Sequence, residues 1–135
     1  MRRANTLTAV LAIAACGIAG QKMAYCIRPD NRRVAMDARR VQALRDNVAA
    51  LRLGEAKAAA LSRVGRPNRE DRIGPKMGAW TCYQLAYYVR LLGEEPGNTD
   101  DQIVSLIFDR REEKLVAVLS TVNGIEQRGN MAKCR

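Results

Sequence analysis

Residues 80–91 read WTCYQLAYYVRL, and this stretch decides the fold. Tyr83, Leu85, Tyr87, Val89 and Leu91 fall on one side, with Gln84, Tyr88 and Arg90 on the other. Alternation of this kind marks a strand with one buried face, because successive strand side chains leave on opposite sides. Trp80 opens the strand, and a strand this long needs partners. Downstream, residues 93–101 form a loop with Pro96, Gly97 and Asn98 at its tip. Residues 102–108 then place Val104, Leu106 and Phe108 on one face, residues 110–113 make a polar turn, and residues 115–122 supply a third apolar run. Three antiparallel strands joined as a meander are predicted.

Upstream the period changes. Val34, Ala38, Val41, Leu44, Val48 and Leu51 recur at steps of three and four, while Arg39, Asp46 and Asn47 fall opposite, which is the pattern of an amphipathic helix. Its start is either at Val34 or at Asp37 acting as N-cap. Gly54 interrupts, and residues 55–64 form a second, shorter helix with Ala60, Leu61 and Val64 on one side. Gly65 suits a left-handed C-cap and Pro67 forbids continuation. A basic loop follows through Arg72, Gly74 and Pro75. The predicted fold class is α+β: two N-terminal helices packed on a three-stranded antiparallel meander, ααβββ, over residues 34–122, with residues 123–135 as a C-terminal tail.

The amino end reads as an export signal. Arg2 and Arg3 precede an uncharged stretch from Leu7 to Ala15. That stretch is too short to span a bilayer, which takes roughly 20 apolar residues. Ile13, Ala14, Ala15 and Cys16 resemble the lipobox cut by lipoprotein signal peptidase, so residues 1–15 are the expected signal peptide and Cys16 the expected lipidation site. Ala12 and Ala14 also fit an ordinary cleavage site. Gly17 stands where an aspartate would imply inner-membrane retention, so the resemblance implies the periplasmic face of the outer membrane, with a soluble periplasmic form as the alternative. Residues 16–33, with the polar cluster Arg28 to Arg33, read as a tether.

Charge and cysteines narrow the function classes. The chain carries 23 basic and 14 acidic residues and a formal charge of +9. Such a surface favours anionic partners, and for an exported lipoprotein the nearest anions are lipid headgroups, worth on the order of 1 kcal/mol for each neighbouring Lys or Arg. Nucleic acid is not expected, because the few aromatics are not interleaved with the basic residues. With Cys16 lipidated, Cys26, Cys82 and Cys134 remain, and one disulfide among them has three possible pairings; three reduced thiols are the alternative. No histidine is present, which removes Ser-His and Cys-His nucleophiles and the usual zinc sites, so no catalytic residue, metal or cofactor is expected.

Two charged clusters compete with a plain solvated reading. Glu94, Glu95, Asp100 and Asp101 share the long loop and could bind calcium or act as an acid/base pair, but their spacing fits no known calcium loop. Arg63, Arg66, Arg69, Arg72 and Lys76 form a basic run, with Arg66, Arg69 and Arg72 as candidate contacts to an acidic partner or anionic headgroups.

The run Leu51-Arg52-Leu53-Gly54, then Gly65-Arg66-Pro67, Trp80 opening a strand, and a strand closing in Phe108-Asp109 resembles the BamE (SmpA/OmlA) family. These are small lipoprotein subunits of the outer-membrane β-barrel assembly machinery. The resemblance covers about residues 48–122 plus the signal. Gly54, Gly65, Pro67, Trp80 and Phe108 are then folding signals, with Trp80 either a packing residue or a partner contact. Ala56 replaces the family's Ser or Thr cap, and Cys82 replaces its strand tyrosine. The resemblance implies a non-enzymatic accessory subunit that stabilises outer-membrane assembly proteins or another periplasmic complex; the alternative is a periplasmic inhibitor or binding module on the same fold.

Overall fold

A computed structural model of the chain describes residues 34–135. The expected signal peptide at 1–15, the lipidation site Cys16, the tether at 16–33 and Cys26 lie outside the described residues. The elements run β1 (Val34–Ala35), α1 (Ala38–Ala49), α2 (Lys57–Val64), β2 (Arg69–Ile73), β3 (Cys82–Leu91), β4 (Gln102–Asp109), β5 (Leu115–Ser120) and β6 (Arg128–Gly129), followed by a 3-10 turn at Ala132–Cys134.

The three-stranded meander expected under two helices is overturned. The sheet has six antiparallel strands in the order β1-β3-β4-β5-β6, with β2 also paired to β3. The strands read from alternation are present as β3, β4 and β5. What the periodicity missed are short edge strands. β2 pairs Arg69 with Ala86 through Ile73 with Cys82, along the first half of β3. β1 takes the other end of the same edge, pairing Val34 with Leu91 and Ala35 with Arg90. Between them the Asn68 side-chain oxygen accepts from the Tyr88 main-chain N–H at 2.8 Å, so the edge of β3 stays satisfied across the gap. β2 reads REDRI and has almost no apolar face to detect. Charge on an edge strand is what keeps it from pairing with a second chain. Val34 is therefore strand, not helix, and residues 69–73 are strand, not loop.

The helices form where their local signals place them. Asp37 caps α1, its carboxylate accepting from the Arg40 main-chain N–H at 2.9 Å. Ala56 gives α2 no side-chain cap. Gly65 ends α2 at φ 92° and Gly54 turns the linker at φ 88°, both in the left-handed region that glycine enters freely. That linker is fastened to the sheet: the Gly54 N–H donates to the Leu115 carbonyl at 2.7 Å, and the Leu115 N–H donates to Glu55 at 2.8 Å. Carbonyls at the end of α1 are met by arginines. Arg128 donates to both Leu51 and Val48, each at 2.7 Å, and Arg63 donates to Ala50 at 2.8 Å.

The core lies between the helices and one sheet face. Leu44, Val48, Leu51 and Ala60 meet Leu85, Tyr87 and Val89 of β3, Val104, Leu106 and Phe108 of β4, and Leu115 and Val118 of β5, all buried. A second cluster sits on the opposite face, where Cys82, Ile107, Ala117 and Cys134 are buried. Two bulges shape the sheet: the register shifts between Tyr88 and Arg90 in β3, and again between Ile107 and Phe108 opposite β5, where Val116 is the extra residue.

Residues 123–135, read as a tail, contribute β6 and the 3-10 turn. A disulfide joins Cys134 to Cys82, one of the three pairings left open by the sequence, with Cα atoms 5.4 Å apart across 52 residues. It holds the carboxyl end on the far face. Closing a loop of that length removes enough chain entropy to contribute about 4 kcal/mol. A Cys82→Ala/Cys134→Ala double variant is expected to lose stability of that order in urea unfolding, and to lose amide hydrogen-exchange protection first at residues 128–134. Unchanged stability would contradict this role.

Candidate functional site

Trp80 lies just before β3, outside the ladder, and is half-buried. Its position follows from the disulfide. Cys82 must face the far side to reach Cys134, so Tyr83 takes the helix side, beside Phe108 in the register. Trp80 then packs edge-on against the Tyr83 ring, with centroids 4.8 Å apart. The Arg110 guanidinium lies over the indole at 4.1 Å and that of Arg72 at 4.9 Å. Arg110 also donates to the Trp80 carbonyl at 3.2 Å. Lys57 lies 4.0 Å over the Tyr83 ring and pairs with Glu70 at 2.8 Å. Each exposed cation–π contact contributes roughly 0.5–1 kcal/mol.

Beside this aromatic pair opens a cavity of 680 Å³, lined among others by Trp80, Thr81, Asp109, Arg110, Arg111 and Lys133. Arg110 and Arg111 come from the β4–β5 turn, and Lys133 from the turn that the disulfide holds. Arg72, Arg110, Arg111 and Lys133 form no ion pair among the described residues, whereas Lys57, Arg63, Arg69 and Lys114 each have a carboxylate partner. Asp109 is buried. Its Oδ1 accepts from the Glu112 N–H at 2.8 Å, and its Oδ2 has no hydrogen-bond partner among the described residues.

The basic run read from the sequence does not stay together. Strand alternation in β2 separates it. Arg72 pairs opposite Tyr83 and reaches Trp80, while Arg69, opposite Ala86, faces the other way and binds Asp71 at 2.8 Å and Glu95 at 3.0 Å. Arg66 is exposed and makes no hydrogen bond or ion pair among the described residues. Thus Trp80 and Arg72 converge, and Arg66 and Arg69 do not join them. Gly54, Gly65 and Pro67 lie in the helix linker and the exit from α2. Phe108 is fully buried in the core. The residues sequence reasoning missed are Lys57, Arg110, Arg111 and Lys133. The adjacent Arg110-Arg111 pair was legible as charge, but nothing local tied it to Trp80.

The acidic loop has a structural job. Asp101 is buried and accepts from the main-chain N–H groups of Leu92, Gly97 and Asn98 at 2.9 to 3.0 Å. These hydrogen bonds to the charged form, led by that from Leu92, hold its carboxyl below the ordinary value of 3.8. Burial pushes the Tyr87 phenol up to about 12, and that hydroxyl donates to the Gly65 carbonyl at 2.8 Å. No group of three cysteines or carboxylates among the described residues could hold a metal. No described helix is long and apolar enough to cross a membrane.

Two outcomes follow from this geometry. Phe108→Ala is expected to cost roughly 3–5 kcal/mol by emptying the core, and Trp80→Ala only about 1–2, both read by chemical denaturation. Because the Asp101 carboxyl is depressed in the folded state, its stabilisation is present above the ordinary value and lost as pH falls through the folded one. Asp101→Asn should therefore melt below the parent chain at neutral pH. The gap should narrow as pH falls below that ordinary value. A gap that persists in acid would show that loop shape, not charge, is responsible.

The chain matches no protein-family model, no curated protein sequence and no solved structure.

Proposed function

We propose that the chain is a non-enzymatic, lipid-anchored accessory subunit of a periplasmic or outer-membrane complex, similar in role to the small lipoprotein of the β-barrel assembly machinery, and that it meets its partner with the surface around Trp80. The observation that carries this reading is the gathering, around one half-buried indole, of four cations that have no ion-pair partner among the described residues. Aromatic and arginine side chains are the residues that concentrate binding energy at protein interfaces. The Cys82–Cys134 disulfide suits an oxidising compartment and so agrees with export. Cys16 would hold the domain at the membrane. Arg66 and Lys76, both exposed and unpaired among the described residues, together with the fully projecting Met77, would face anionic headgroups.

A second reading is a periplasmic inhibitor or protein-binding module. The far sheet face favours it: a cavity of 510 Å³ is lined there by Gln84, Tyr88, Ile103 and Ser105, with Glu95 and Pro96 of the 93–101 loop at its edge.

Copurification from detergent extracts separates the two. The leading reading expects barrel-assembly subunits to accompany the chain, the association to weaken in Arg110→Ala, and the intact mass to show acyl groups that Cys16→Ser removes. Binding to a different exported protein, lost in Tyr88→Ala and kept in Arg110→Ala, would favour the second. A soluble, unacylated monomer without partners would sink the first.

A further inference from the structure

We propose that the cleft between Trp80, Arg110, Arg111 and Lys133 takes an acidic polypeptide segment, and that the Cys82–Cys134 disulfide preforms it. The proposal rests on the reading of the chain as a protein-binding subunit. Charge sets the sign of the occupant. Arg110, Arg111 and Lys133 line the cavity and Arg72 adjoins it through the indole, all without ion-pair partners among the described residues, while Glu112 is engaged by Lys114 at 3.4 Å. An anionic occupant gains from all four at little cost in broken ion pairs.

Asp109 distinguishes a polypeptide from a bare anion. Its carboxylate belongs to the cavity wall, with Oδ1 held by the Glu112 N–H, so a compact anion such as phosphate lodged against it is repelled. A peptide can meet the arginines with its acidic side chains while its neutral main chain lies beside that carboxylate. The indole and the Ala79 methyl offer apolar contact for the same backbone. A volume of 680 Å³ lies within the range of specific binding clefts and accommodates a few residues, not a folded domain.

The disulfide builds the cleft from two distant stretches. Lys133 precedes Cys134, and Trp80-Thr81 precede Cys82, so the bond brings the lysine to the aromatic wall. An occupant therefore meets a surface already assembled, without ordering the carboxyl end on binding.

Trp80 is the single tryptophan, so its fluorescence reports this cleft alone. The full chain in detergent would be titrated with a synthetic peptide of alternating glutamate and glycine, with inorganic phosphate, and with vesicles of anionic or neutral lipid. Saturable change with the peptide is expected, weakened about tenfold in Arg110→Ala/Arg111→Ala and in Lys133→Glu, weakened by reduction of the disulfide, and unaltered in Arg39→Ala. Circular dichroism would establish that each variant is folded, and Lys133→Glu serves where the double variant is not. No saturable change with peptide, equal binding by the variants, phosphate binding as tight as peptide, or vesicles acting where peptide does not would each overturn the proposal. Peptide binding without copurifying assembly subunits would leave the cleft standing and remove the assignment to that machine; copurification without peptide binding would do the reverse.

Discussion

Everything in this domain is arranged around one requirement, that β3 be satisfied on both edges and both faces. It is the longest strand, and nearly every other element exists to cover part of it. β4 runs along one edge, while β2 and β1 share the other, with the Asn68 side chain spanning the interval between them. Leu85, Tyr87 and Val89 are covered by α1 and α2, and Cys82 by the carboxyl end. Leaving any of these groups buried and unpaired would cost about 1–3 kcal/mol each, which explains why even charged stretches such as Arg69–Ile73 are drawn into the ladder.

The same requirement places the candidate site. Because Cys82 turns to the far face, Trp80 cannot enter the core and is left at the mouth of the strand. Its ring becomes a platform for cations from β2 and the β4–β5 turn. The disulfide adds Lys133 from the other end of the chain. Several cationic side chains elsewhere are engaged by the fold: Arg128 and Arg63 cap α1, Arg69 joins Asp71 and Glu95, and Lys57 joins Glu70. A high net positive charge thus resolves into cations that hold the structure and others that remain open to a partner.

Glu113 shows how the turn bearing that set is made. It adopts φ 52° in the turn that presents Arg110 and Arg111, where glycine would be the easier residue. The backbone there is held by hydrogen bonds on either side of it: the Asp109 N–H donates to Lys114 at 3.0 Å, and the Glu113 N–H donates to Asp109 at 3.0 Å. The buried Asp109 carboxylate adds the bond to Glu112. The two arginines are consequently displayed from a fixed turn, not from a loose loop.

By itself the sequence determined what depends on neighbours a few residues apart. The Asp37 cap, the Leu44 and Val48 stripe, the Gly65 and Pro67 stop, and the inward sides of β3 and β4 were all legible, because each is written as a period or as a local backbone preference. Tertiary structure decided the rest. β1 and β6 have two residues each and β2 is charged, so none carries a period; they form because β3 and β5 offer unpaired edges. The separation of Arg69 from Arg72 needed the register of β2, and the choice of Cys134 for Cys82 needed the carboxyl end to cross the far face. The union of Trp80, Arg110 and Lys133 is likewise invisible along the chain, since contacts over such separations are selected by packing and by the covalent bond that fixes them, and not by any preference of the residues themselves.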